Sequence, residues 1–183
     1  VLENYERFTD CLGIKKDNLV FASQVHSTVV RSVGRENCGE GIIREIAIKN
    51  YDGLITNESG VYLATMYADC VPLYFVDPVS KTVALSHGGW KGTLNNIVKS
   101  TIHKMVHEFN SDPKNILMGI GPSIGVCCFE VRDDVAGLFA ELPAEIRDGC
   151  IIKKDNTEED KDKGKGKDKD KEDENEKGEI ERN

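Results

Sequence analysis

Between residues 61 and 109 the spacing of apolar side chains changes period, and no other feature of the chain restricts its fold as much. V-Y-L-A-T-M-Y at 61–67 and V-P-L-Y-F-V at 71–76 are dense in β-branched and aromatic residues, as strands are. D-P-V-S-K at 77–81 supplies a turn with Pro in a favoured place, so T-V-A-L-S-H at 82–87 reads as the return strand of a hairpin. From Leu94 the spacing becomes helical. Leu94, Ile97, Val98, Thr101, Ile102, Met105, Val106 and Phe109 form one apolar stripe, which S-D-P at 111–113 ends. N-I-L-M-G-I at 115–120 follows as another buried strand. Strands and helix in this order imply an α/β or α+β layered domain.

The flanking sequence adds smaller elements and no internal repeat. Leu2, Tyr5, Phe8 and Leu12 have helical spacing, with Gly13 as a stop. L-V-F-A-S-Q-V at 19–25 and T-V-V-R-S-V at 28–33 read as two strands bracketing His26. Glycines make 34–50 a loop, D-G-L-I-T-N at 52–57 a short strand follows, and a last helix is expected over 133–142.

From Lys153 onward the composition changes. Residues 153–183 hold 10 basic and 13 acidic side chains and one strongly apolar residue, Ile180. Such a segment cannot bury enough surface to offset its ordering entropy, so we expect domain 1–152 followed by a disordered charged tail or insertion, 153–183. The chain's net charge is −8, and removing the tail's −3 leaves −5 on the body. An acidic body argues against a nucleic-acid backbone as partner. No apolar run reaches the length of a membrane span, about 18 residues. The six cysteines form no C-x-x-C pair, and adjacent Cys127 and Cys128 are poorly placed for bridging. Free thiols and no visible signal peptide together imply a cytoplasmic protein, taken here as a monomer.

The chemistry-bearing residues lie at strand ends. Taken singly, His26 and His87 read as packed or exposed histidines, and Cys70 as a small buried hydrophobe. The spacing H-x43-C-x16-H is not a local metal signature. Their surroundings are more informative: Cys70 sits between Asp69 and Val-Pro where a strand begins, and His87 precedes Gly88-Gly89, which lets a ligand approach closely. Two imidazoles and a thiolate are also the number of ligands a catalytic zinc uses when it keeps its fourth position open. His103 and His107, at i and i+4 beside the apolar stripe, read as a solvated helix face. G-I-G-P-S-I-G at 119–125 does not match the dinucleotide fingerprint.

Q-V-H-S, D-G-L-I-T, T-M-Y-A-D-C-V-P, H-G-G-W-K-G and G-I-G-P-S-I-G-V-C-C-F-E-V occur in this order. Together they resemble the YfiH-like laccase-domain family, also called multicopper polyphenol oxidoreductases and now purine nucleoside phosphorylases, over about residues 1–142. The resemblance implies a layered α/β/β/α sandwich of mixed sheets, truncated here at both ends, and a zinc ion on His26, Cys70 and His87. It also implies phosphorolysis of adenosine, inosine, guanosine and methylthioadenosine, with phosphate as co-substrate, together with adenosine deamination. In that chemistry Cys70 and His87 serve catalysis by holding the metal. Asp69 beside them is the candidate proton carrier or a supporting carboxylate.

Asp52 is a possible substrate contact by position, with a turn or cap role favoured. Cys127 and Cys128 are expected to pack beside the site. The chain departs from the family's H-A-G-W-R-G at Gly88 and at Lys91, where lysine keeps the charge and loses bidentate anion recognition. The alternatives are copper-dependent phenol oxidation, which a His2Cys donor set also fits, a metal-free cysteine hydrolase on Cys70 and His87, and an inactive fragment.

Overall fold

The computed structural model describes residues 1–152, so the expected tail at 153–183 lies outside the described residues. The chain divides into two units, residues 1–139 and 140–183. Of the second, the described part contains a single helical turn, Ala144–Arg147.

In the first unit the predicted hairpin is the centre of the fold. Strands Val71–Asp77 and Thr82–Gly88 pair antiparallel along their full length, from Val71 opposite Gly88 to Asp77 opposite Thr82. The Asp77 carboxylate fixes the turn by accepting the backbone N–H groups of Val79 and Ser80 at 2.9 and 3.2 Å. In chain order the strands are β1 (Leu19–Phe21), β2 (Val30–Ser32), β3 (Gly53–Thr56), β4 (Tyr62–Ala64), β5 (Val71–Asp77), β6 (Thr82–Gly88) and β7 (Leu117–Ile120). A five-stranded mixed sheet has the order β2-β3-β6-β5-β7, in which only the β2–β3 pair is parallel. β1 and β4 form a separate parallel pair.

Period-2 alternation on the hairpin sets the layers. Leu73, Phe75 and Ala84 point to one face and pack with Ile97 and Met105 of a long helix. Leu54 of β3 points the other way and packs with Val20, Ala22, Val33, Tyr51 and Val61, which joins the second sheet to the first. The helices are α1 (Leu2–Cys11), α2 (Trp90–Leu94), α3 (Ile97–Phe109) and α4 (Asp133–Ala140), with α5 the turn at Ala144–Arg147. α3 covers the outer face of the large sheet. α1 lies against the small one, its Tyr5 ring edge-on to Phe21 at 5.5 Å. The order is helix, sheet, sheet, helix: the expected α/β/β/α sandwich. Among the described residues no helix is long and apolar enough to cross a membrane.

Four local expectations are corrected. The apolar stripe from Leu94 to Phe109 is two helices, because Asn95 and Asn96 interrupt it; Asn96 adopts a left-handed conformation and caps α3 by accepting from the Lys99 N–H. The strands expected at 19–25 and 28–33 are only three residues each, because residues 22–29 between them leave the sheets. β7 is not buried: all four of its residues are exposed, since it is an edge strand paired only with β5. In α1 the predicted stripe buries little, with Leu2, Phe8 and Leu12 each more than half exposed.

Candidate metal centre

Antiparallel pairing brings two strand ends to one place. β5 begins at Val71 and β6 ends at Gly88, and these residues face each other, so Cys70 and His87 arrive at the same edge of the sheet. His26 comes from the 22–29 segment. The ligand atoms of His26, Cys70 and His87 all lie within 4.8 Å of one another, and among the described residues this is the one such group of three or more His, Cys, Asp or Glu side chains. Cys70 Sγ stands 3.8 Å from His26 Nε2, and the two imidazoles meet edge to face at 4.9 Å. A tetrahedral zinc with ordinary Zn–S and Zn–N bonds needs about 3.6 Å between such donors. The donor set and spacing therefore fit a metal ion. A Cβ at Gly89 would stand 2.5 Å from the His26 ring and 3.4 Å from Cys70 Sγ, so the glycine is what lets the chain pass behind the pair.

Asp52 organises this arrangement, and the expected turn or cap role is corrected. Its side chain is wholly buried. One oxygen accepts from the backbone N–H groups of Val25 and Ser27 and from the Ser27 hydroxyl, at 2.7 to 3.1 Å. The other accepts from the His26 N–H at 2.9 Å and meets His87 Nδ1 at 2.8 Å. Burial alone would raise the Asp52 pKa. Hydrogen bonds from His87, Ser27 and Val25 outweigh it and hold the carboxyl far below the usual range. An ionised Asp52 can only accept, so His87 Nδ1 carries a proton and Nε2 is left as the ring's ligand atom.

The same bonds hold a backbone that would otherwise be disfavoured. Gln24 and His26 both have positive φ, 38° and 63°, a conformation that costs about 1–3 kcal/mol in a non-glycine residue. The Gln24 carboxamide pairs with the Met66 backbone in both directions at 2.6 Å, which ties the His26 loop to the loop leading into Cys70. Tyr67 lies 5.6 Å from the His87 ring. Burial pushes its hydroxyl up to about 12, so it stays protonated and donates to the Ser86 carbonyl.

Of the other predicted residues, Asp69 is exposed next to Cys70. Burial, then the Asp69 and Asp52 carboxylates, push the Cys70 thiol up. Lys91 is exposed, its Nζ 5.4 Å over the Trp90 ring. His103 and His107 are exposed on α3, apart from the cluster. Cys127 and Cys128 are exposed rather than packed. Asp52, Gln24 and Gly89 carry more of the site than their sequence positions suggested. The signals available were D-G at a strand start and Q-V-H in a loop, and neither reveals a contact across the fold.

The family model described as multi-copper polyphenol oxidoreductase laccase matches residues 1–165. The purine nucleoside phosphorylase YlmD of Bacillus subtilis is 39% identical over 145 residues, which cover 78% of this chain and 52% of that protein. The adenosine deaminase RL5 of an unknown prokaryotic organism is 34% identical over 138 residues, covering 75% and 52%. Among solved structures, the hypothetical protein YfiH of Bacillus licheniformis superposes with a TM-score of 0.79 at 35% identity, covering 85% of this chain and 58% of that one. The chain thus spans about half the length of these relatives. The matched region contains His26, Cys70, His87 and the carboxylate that orients them, and the chain belongs to the multi-copper polyphenol oxidoreductase laccase family.

Proposed function

We propose that this chain carries the metal centre of a zinc-dependent purine nucleoside phosphorylase, acting on adenosine, inosine, guanosine and S-methyl-5′-thioadenosine, that also deaminates adenosine. One observation carries the reading: two imidazoles and a thiolate converge within 4.8 Å, with a buried carboxylate fixing the tautomer of one of them. Relatives named as purine nucleoside phosphorylase and as adenosine deaminase support the reaction class.

His26, Cys70 and His87 would hold the zinc, which would supply Lewis acidity when bound. Asp52 keeps His87 oriented and its Nε2 available. Asp69, exposed beside Cys70, is the proposed proton carrier. In deamination it takes a proton from the water that adds to C6 of adenine and returns one to the departing ammonia. In phosphorolysis a phosphate oxygen bonds to C1′ of the ribose as the bond to the purine breaks. Lys91, at the start of α2, offers phosphate a single positive charge.

The test is direct. Full-length protein loaded with zinc, given inosine and phosphate, should release hypoxanthine and ribose-1-phosphate, and given adenosine should release ammonia. No product in either assay from protein that holds zinc overturns the proposal. The family's description favours one rival, copper-dependent oxidation of phenols. Copper rather than zinc in protein as isolated, together with phenol turnover, would establish it.

A further inference from the structure

Away from the metal centre, the thiols of Cys127 and Cys128 lie 3.1 Å apart. Neighbouring residues in extended chain throw their side chains to opposite sides, but these two sit in a turn. The Gly125 carbonyl closes that turn by accepting the N–H groups of Cys128 and Phe129, both at 3.0 Å. Both thiols are exposed. A tetrahedral metal on two thiolates needs sulfurs about 3.8 Å apart, and a disulfide needs about 2.05 Å. The observed separation lies between the two, already closer than chelation requires. The turn thus brings together two side chains that an extended chain would separate.

We propose that Cys127 and Cys128 form a modification site, a vicinal dithiol that a hydroperoxide oxidises to a disulfide between the two adjacent residues. The hydrogen bond between the two thiols pushes the Cys128 thiol up. One of the two, as thiolate, attacks a peroxide oxygen and the O–O bond breaks, leaving a sulfenic acid and hydroxide, which takes a proton to become water. The second thiol then loses its proton and attacks the sulfenic sulfur. The S–S bond forms, the S–O bond breaks, and the second oxygen leaves as water. Two thiols lose two electrons, and one peroxide gains them. Among the described residues the other four cysteines have no such thiol neighbour. The segment leading to the site is tied to the loop bearing Cys70, because Gly121 N–H donates to the Pro72 carbonyl at 2.9 Å and Ile124 N–H to the Asp69 carbonyl at 3.0 Å.

Mass spectrometry tests this on the full chain. Trypsin cuts after Lys114 and Arg132, so one peptide carries both thiols and no other cysteine. After hydrogen peroxide treatment and alkylation, this peptide should be lighter by two hydrogens and unlabelled, and dithiothreitol should return it to the doubly alkylated form. In Cys128→Ser and in Cys127→Ser the remaining thiol should be trapped by dimedone as a sulfenic acid. Double alkylation at doses that oxidise Cys11 or Cys150 overturns the proposal. So does direct passage to sulfinic acid, or a bond from either residue to a different cysteine.

Discussion

His87 Nδ1 lies 2.8 Å from the Asp52 carboxylate, and the same oxygen accepts the backbone N–H of His26. One buried side chain therefore orients the first imidazole and positions the loop that bears the second. In Asp52→Asn an amide N–H₂ must replace one oxygen, facing donors on either side. Removing such an orienting carboxylate lowers metal affinity about 10–100-fold, and the unmatched buried donors cost about 1–3 kcal/mol. Zinc titration against a chromogenic chelator, with urea unfolding of the metal-free protein, should read both losses. Unchanged zinc affinity would show that the contact is only structural.

Acid should act on the metal-free protein through the same residue. The folded-state pKa of Asp52 is depressed from an unfolded value of about 3.9. Below that value the unfolded chain takes up a proton that folded Asp52 refuses. The stabilisation is thus complete above about pH 4 and is lost as pH falls towards the folded-state pKa. Urea midpoints measured from pH 5 downward should fall more steeply for wild type than for Asp52→Asn. Parallel slopes would remove Asp52 as the source.

The hairpin and the layer order were legible because they depend on period. Residues 71–76, 82–87 and the stripe ending at Phe109 bury the faces their spacing predicts, apart from the break at Asn95–Asn96. What could not be read depends on contacts between distant segments. Nothing local distinguishes Asp52 from a turn residue, since its five hydrogen-bond donors come from Val25, His26, Ser27 and His87. Strand lengths at 19–33 failed for the same reason. Apolar β-prone residues argued for extension, while Asp52 and Gln24 pull residues 24–27 into a loop with positive φ. Exposure of β7 was equally hidden, because an apolar run does not reveal whether its strand lies at an edge.

Substitution of single ligands should separate the converged histidines from the helical pair. His26→Ala, Cys70→Ser and His87→Ala each remove a donor from the cluster, and each should reduce bound zinc from about one per chain to well below that. His103→Ala and His107→Ala, whose rings lie 4.0 Å apart on the outer face of α3, should leave it unchanged. Elemental analysis after dialysis gives the answer. Full zinc in Cys70→Ser, or its loss in His103→Ala, would put the metal elsewhere.

Gly89 shapes the cluster without offering it a ligand atom. Gly89 has φ −72°, where alanine is unstrained, so its replacement tests space alone. The added Cβ meets the His26 ring at 2.5 Å and Cys70 Sγ at 3.4 Å. The backbone of Gly89 is fixed by β6 on one side and α2 on the other, so His26 is the partner that must move. Its loop already holds an unfavourable φ, and displacing the ring separates Nε2 from Cys70 Sγ. Gly89→Ala should therefore bind zinc at least about tenfold more weakly. The cost to the metal-free fold should be small, about that of a poorer helix cap, roughly 1 kcal/mol or less. Gly137→Ala, whose Cβ would meet nothing within 4 Å, is the control and should leave zinc affinity intact. Wild-type zinc affinity in Gly89→Ala would mean that His26 has room to retreat and that the close passage of the chain does not set the geometry of the site.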